Sequence, residues 1–436
     1  MDHFIYRDGE LFAEDVPIRE IAEKIGTPFY CYSRATMTRH FKVFSEALSD
    51  LDTLVCYAVK ANSNIAVIKA LAECGAGADV VSVGELERAL AAGVSPDKIV
   101  FSGVGKTGPE IARALDAGIL EINVESEPEL EVVSALATAR GMEVSVSIRV
   151  NPDIDAKTHD KITTGKKENK FGIEIERASE VYRRGAALPG VRLDGVAVHI
   201  GSQLGDLEPY RNAYLRMAKL VEQLRAEGHE IERLDLGGGL GIPYFERGSN
   251  FIPPSPNDYG NIVRETVGHL GCRLLFEPGR LIVGNAGVLV ARTVYVKESD
   301  SRRFLIVDAA MNDLIRPTLY SAHHAIEPVV EPDAGAVTHA YDIVGPICES
   351  GDTFAKERSL PEFAAGDLVV FRSAGAYGAT MSSTYNSRPL IAEVMVDGDR
   401  FAEIRRRVPT SEFMAFESVP DWLDEAPADP ERKIAG

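Results

Sequence analysis

What this chain lacks narrows its class first. No apolar run approaches the length of a bilayer-crossing helix, and the opening residues, MDHFIYRDGELFAEDV, are mixed and acidic, without a secretory-signal profile. A cytoplasmic protein with no membrane partner is the expectation. Basic charge is in short supply: 47 lysines and arginines face 66 acids, a net charge of −19. That balance argues against nucleic acid or an anionic lipid surface as a main partner. Cysteine is scarce too. Cys31, Cys56, Cys74, Cys272 and Cys348 are scattered, with no CxxC pair. An odd, dispersed set argues against a disulfide framework and a structural zinc site, so no metal is expected.

What remains is an ordinary globular composition, 45% hydrophobic and 26% charged over 436 residues, long enough for two large cores. Short apolar strands alternate with amphipathic helical stretches. The strands expected are Leu54–Lys60, Ala78–Ser82, Lys98–Gly103, Leu120–Glu125, Val144–Val150, Leu193–His199, Arg233–Gly237 and Arg273–Glu277. Helical patterns such as Gly84–Ala92, Glu110–Ala117 and Tyr210–Ala226 lie between them. Eight such units are the count of a (β/α)8 barrel of the TIM type, within the α/β class. Beyond Glu277 the pattern becomes β-rich, with Val288–Lys297, Arg303–Val307, Tyr341–Val344 and Leu368–Phe371 set between Gly/Pro turns. The expected division is a barrel over residues 31–277 and a mainly β domain over 278–436, joined by residues 1–30. The polar, lysine-rich stretch Asn151–Ile175 reads as a functional loop over the barrel mouth. Its lysines, Lys170 excepted, read as solvated charge. The tail Asp424–Gly436 reads as disordered.

Chemistry in such barrels gathers at the C-terminal ends of the strands. Lys60 closes the apolar run LVCYAVK, where an ammonium is costly without a partner or a covalent task. Desolvation would lower its pKa and suit it to Schiff-base chemistry. Asp79 lies in the second strand and His199 ends the sixth, in HIGSQ. Gly237, Gly238 and Gly239 end the seventh, in DLGGGLG, and Glu277 the eighth, in FEPGR. Bare glycine backbone can cradle an anion, and the loops after strands seven and eight are the frequent phosphate site of barrels. Singly, these are a snorkelling lysine, a structural histidine and a tight turn. Together, a lysine for a carbonyl, a glycine cradle for a phosphate and a carboxylate for a pyridine nitrogen describe a pyridoxal phosphate site.

The ordered set YAVKAN, HIGSQ, DLGGGLG, FEPGR and CESGD resembles the alanine-racemase-like, fold type III pyridoxal phosphate decarboxylases, over nearly the whole chain. The resemblance implies Lys60 as the Schiff-base lysine and His199 stacked on the ring. It places Ser202 and Gly239 near the phosphate, Glu277 on the pyridine nitrogen, and Pro278, Gly279 and Arg280 around the cofactor. Cys348, in ICESGD, looks like the proton donor, which in this family reaches the partner's site, so a homodimer with shared sites is implied. The substrate it points to is meso-2,6-diaminopimelate, with L-lysine and carbon dioxide as products. Arg280, Arg316 and Tyr320 (in LIRPTLY) are then the grip on the distal carboxylate, Glu349 the partner of the distal ammonium, and Tyr377 (in SAGAYG) a contact to phosphate and substrate. Arginine suits a carboxylate because its planar fork donates two parallel hydrogen bonds.

Rival substrates on the same scaffold are ornithine, arginine, carboxynorspermidine and D-amino acids. They have less use for two arginines and for the Glu-Ser after Cys348. A non-catalytic relative that merely carries the cofactor is a further alternative, and the presence of both Lys60 and Cys348 argues against it.

Overall fold

The computed structural model describes residues 2–155, 164–165, 170–244 and 252–424. Eight parallel strands form the barrel: β1 (Thr53–Ala58), β2 (Gly77–Val80), β3 (Ile99–Phe101), β4 (Glu121–Val124), β5 (Val144–Asn151), β6 (Val191–Ala197), β7 (Arg233–Asp235) and β8 (Arg273–Phe276). Each pairs with its sequence neighbour, β8 pairs with β1, and β4 pairs with β5, so the sheet has no open edge. The eight expected strands are all present, yet most stop earlier than the apolar patterns suggested. Ladder bonds end where neighbours end, and Lys60, Ser82, Glu125, His199, Gly237 and Glu277 lie one or two positions beyond, in the loops.

The helices pack outside because their apolar residues recur on one face. In Glu208–Ala226 the buried set Tyr210, Ala213, Tyr214, Met217, Val221 and Leu224 follows the three-four spacing of a single stripe. Several of the helices are capped at their starts. Asn64 accepts from the Ala66 N–H, and Ser82 from that of Glu85. Thr107 with Glu110, and Ser255 with Asp258, form capping boxes.

In the mainly β domain the twelve-residue strand Gly287–Glu298 pairs with Arg303–Val307, Leu368–Phe371 and Phe29–Ser33. Phe29–Ser33, which straddles the expected boundary at residue 31, also pairs in parallel with Ala392–Asp397. Alternation along these strands separates two cores. Phe29, Cys31, Val288, Val290 and Val394 face a small core with the N-terminal segment, while Tyr30, Tyr32, Leu289 and Ala291 join the large core continuous with the barrel. No described helix is long and apolar enough to cross a membrane. Residues 156–163 and 166–169 of the expected mouth loop, and residues 425–436 of the tail, lie outside the described residues.

Candidate active site

Lys60 sits on a single turn of 3-10 helix, Val59–Ala61, immediately after β1. Its Nζ donates to Asp79 Oδ2 at 2.7 Å, and the Asp79 side chain is fully buried while that of Lys60 keeps 33% exposure. The expected lowered pKa is overturned here. Burial pulls it down, but Asp79 and Glu277 outweigh burial and hold Lys60 above its ordinary value. Without a carbonyl partner the lysine is an ion-paired ammonium.

Glu277 follows β8 directly, its backbone N–H donating to Gly237 O at 2.8 Å. Its carboxyl accepts from Ser102 Oγ at 3.1 Å, and Ser102 in turn accepts from Asn123 Nδ2 at 3.1 Å. Asn123 also donates to Asp235 Oδ2 at 2.9 Å. Burial, then the charges of Asp235 and Asp79, raise Glu277 well above the usual carboxyl range. One proton therefore stays with the buried pair, on Glu277, as expected for like charges sharing a low-dielectric site.

The glycine turn follows β7. Gly237 and Gly239 have φ of 65° and 108°, in the left-handed region that favours glycine. A Cβ on Gly238 would run into the carbonyl of Glu277, and one on Gly239 into that of Gly201. The Gly238 N–H donates to His199 Nδ1 at 3.1 Å. His199 lies two residues past β6, and burial, with Arg149 and Lys60, pushes it well below its ordinary pKa. A neutral ring that accepts at Nδ1 carries its proton on Nε2.

Arg280 links three loops. Its Nε and Nη2 donate to Ser202 Oγ at 3.3 and 3.0 Å, its Nη1 donates to Tyr244 Oη, and its Cζ lies 4.7 Å from the Tyr377 ring centroid. Tyr377 comes from the β domain with a φ of 56°, uncommon for a bulky side chain, and its N–H donates to Ala61 O at 2.8 Å, beside Lys60. Arg316 opens the short helix Arg316–Tyr320, is 6% exposed, and has its Cζ 4.4 Å from the Tyr244 ring centroid. Tyr320, one turn on, is half-buried. Pro278 and Gly279 join Glu277 to Arg280, and a Cβ on Gly279 would crowd the Ala58 and Ala61 side chains flanking Lys60.

Two candidates stand apart. Cys348 and Glu349 are exposed on a separate loop, where the Cys348 N–H donates to Asn386 Oδ1 at 3.3 Å and Tyr385 Oη donates to Glu349 at 3.0 Å. Several residues of the site carry no motif in the sequence. Ser102, Asn123 and Tyr244 belong to patterns that read as strand or loop, and only the tandem His323-His324 after LIRPTLY offers a signal for His324.

The residues suit pyridoxal phosphate on three counts. Asp79 Oδ1 is buried beside the lysine without a hydrogen-bond partner among the described residues, the glycine turn leaves a cradle that side chains would fill, and Glu277 keeps a proton that it could offer to a ring nitrogen. A closed parallel barrel followed by a mainly β domain defines the fold type III class of pyridoxal enzymes, and residues 34–284 match the family described as pyridoxal-dependent decarboxylase, pyridoxal binding domain. The chain is 52% identical over 419 residues to a diaminopimelate decarboxylase of Pseudomonas aeruginosa, covering 96% of this chain and 99% of that one. To one of Vibrio cholerae it is 49% identical over 421 residues, again covering 96% and 99%. Among solved structures, diaminopimelate decarboxylase from Helicobacter pylori complexed with L-lysine aligns with a TM-score of 0.87 at 41% identity, covering 91% of this chain and 98% of that one. The enzyme of M. jannaschii in co-complex with L-lysine aligns at 0.90 and 35%, covering 97% and 99%. The chain belongs to the diaminopimelate decarboxylase family.

Proposed function

We propose that this chain catalyses the last step of lysine biosynthesis in the cytoplasm, decarboxylating meso-2,6-diaminopimelate to L-lysine and carbon dioxide on pyridoxal phosphate. The observation that carries the substrate is the pair of buried arginines, Arg280 and Arg316, flanking the Tyr244 ring near the lysine's loop. Residues 31–277 are read as the cofactor domain and 278–436 with 1–30 as the second domain, the boundary strand Phe29–Ser33 aside.

Bound at Lys60, pyridoxal phosphate supplies the sink for the electron pair left when carbon dioxide departs. Lys60 must first lose a proton from Nζ to solvent, which reaches the one third of its side chain left exposed, while Asp79 at 2.7 Å orients the nitrogen. Glu277 holds a proton that a ring nitrogen can share. His199 offers a flat neutral face for stacking. Gly237, Gly238, Gly239 and Ser202 would cradle the phosphate, with Gly279, Arg280 and Tyr377 closing over it. Arg316, Tyr320 and Arg280 would fix the distal carboxylate, and so orient the reacting carbon for loss of one carboxylate. Cys348 and Glu349, exposed and away from Lys60, would enter the site of a second copy. There the Cys348 thiol donates a proton to Cα and Glu349 receives the distal ammonium, which makes a homodimer the working unit.

Product analysis tests this reading. The holoenzyme is incubated separately with meso-diaminopimelate, L-ornithine, L-arginine and D-lysine, and amine and carbon dioxide are followed. L-lysine from meso-diaminopimelate alone is the expected outcome. Turnover of another substrate instead would overturn the roles of Arg280, Arg316 and Glu349.

A further inference from the structure

Buried arginines are ordinarily neutralised by a carboxylate. Arg280 and Arg316 are each 6% exposed, and among the described residues neither has a carboxylate in ion-pair range. Every group that holds them is neutral. Arg280 is held by the Tyr244 phenol and the Ser202 hydroxyl. Arg316 Nη1 donates to His324 Nε2 at 2.8 Å, and His324 Nδ1–H donates to Arg372 O at 2.8 Å. His324 is 2% exposed, and its ring meets that of Tyr244 edge-on with centroids 5.4 Å apart.

Both ring nitrogens of His324 are thus committed, one as donor and one as acceptor, which fixes a single neutral tautomer. Burial, followed by the charge of Arg316, pushes its pKa down to about 3. The ring does not become a like charge beside the guanidinium. A carboxylate at the same point would orient Arg316 equally well but cancel its charge, leaving little attraction for an incoming anion. A neutral acceptor fixes the rotamer and leaves the charge intact.

We infer that His324 is a specificity-determining positioning residue, which orients Arg316 through Nε2 while leaving its charge for the distal carboxylate of the substrate. This rests on the reading of Arg316 as that grip, and the test separates the two. L-lysine retains the distal carboxylate, and cadaverine is the same molecule without it. Dissociation constants of both are measured for the holoenzyme by calorimetry, with melting temperature and cofactor absorbance followed in every variant. His324→Glu is expected to weaken L-lysine roughly 10- to 100-fold, the range of a lost charge-assisted hydrogen bond. Cadaverine should change by less than about threefold, the scatter expected of a site whose contacts are otherwise kept. His324→Gln, neutral and able both to accept and to donate, should keep the wild-type preference. Equal weakening of both ligands by Glu, L-lysine binding unchanged by Glu, or loss of the preference in Gln would each overturn the inference. If His324→Glu does not retain the cofactor, His324→Leu takes its place. Loosening of Arg316 should then weaken L-lysine selectively, and equal weakening would again overturn it. Arg316→Ala is the control on the underlying reading: an intact preference for L-lysine there would refute the grip itself, whatever the His324 variants do.

Discussion

Replacing Asp79 by asparagine should make Lys60 a faster nucleophile in the cofactor-free protein. The substitution keeps shape and removes one charge. At 2.7 Å the Lys60–Asp79 attraction is about 6 kcal/mol for an effective dielectric constant of about 20. One third of the lysine side chain is exposed, so solvent screening cuts this to about 2 kcal/mol. Glu277, which also raises Lys60, remains, but burial and the charge of Asp235 still favour its protonated form, so it replaces only part of the lost charge. Burial, already the largest single influence on Lys60, then meets less opposition and favours the neutral amine. About 2 kcal/mol corresponds to roughly a thirtyfold larger amine fraction at a given pH. The assay is the rate of imine formation when cofactor-free protein is mixed with pyridoxal phosphate, followed by absorbance across pH. The rate–pH midpoint of Asp79→Asn should lie below that of wild type, with capture near neutrality faster by about an order of magnitude. A midpoint that stays in place or moves up would refute the account of Asp79 as the charge that holds Lys60 protonated.

Other expectations follow from single features. Gly238→Ala should cost about 1–3 kcal/mol in urea unfolding, and the protein should lose cofactor on gel filtration, because the new Cβ meets the Glu277 carbonyl. Burial raises Glu121 from an ordinary 4.5 to about 7. A group whose folded pKa is raised binds more protons folded than unfolded in that window, so stability falls as pH rises through it. Glu121→Gln should flatten the decline of melting temperature between those pH values, and an unchanged slope would remove Glu121 as its source. Mixing Lys60→Ala with Cys348→Ala subunits, each inactive alone, should restore about one quarter of wild-type activity if sites are shared across a two-fold dimer. No recovery would place Cys348 in its own subunit's site.

The barrel was legible because eight short apolar runs, each followed by a helical stripe, leave few alternatives, and because costly or special residues closed those runs. Lys60, the Gly237–Gly239 turn and Glu277 could be picked out on that ground. What stayed hidden depends on contacts between distant segments. Strand ends are set by partner strands, so His199 and Glu277 fall in loops rather than ladders. The sign of the Lys60 shift depends on Asp79, nineteen positions away, reaching Nζ across adjacent strand ends. Tyr244 and His324 acquire a role only when Arg280 and Arg316, from separate loops, converge on one ring.

Phe29–Ser33 lies between Gly287–Glu298 and Ala392–Asp397 in the middle of the second domain's sheet. The barrel is therefore threaded into that domain as an insertion. A chain emerging from the ribosome N-terminus first can close its barrel once β8 is free, while a strand made near the start must wait for one made near residue 392. During that interval Phe29, Tyr30, Cys31 and Tyr32, all buried in the finished protein, present an unpaired and largely apolar edge. The time of greatest exposure to misassembly thus falls after Lys60 is already in place. Slowing synthesis between residues 300 and 390 should lengthen it.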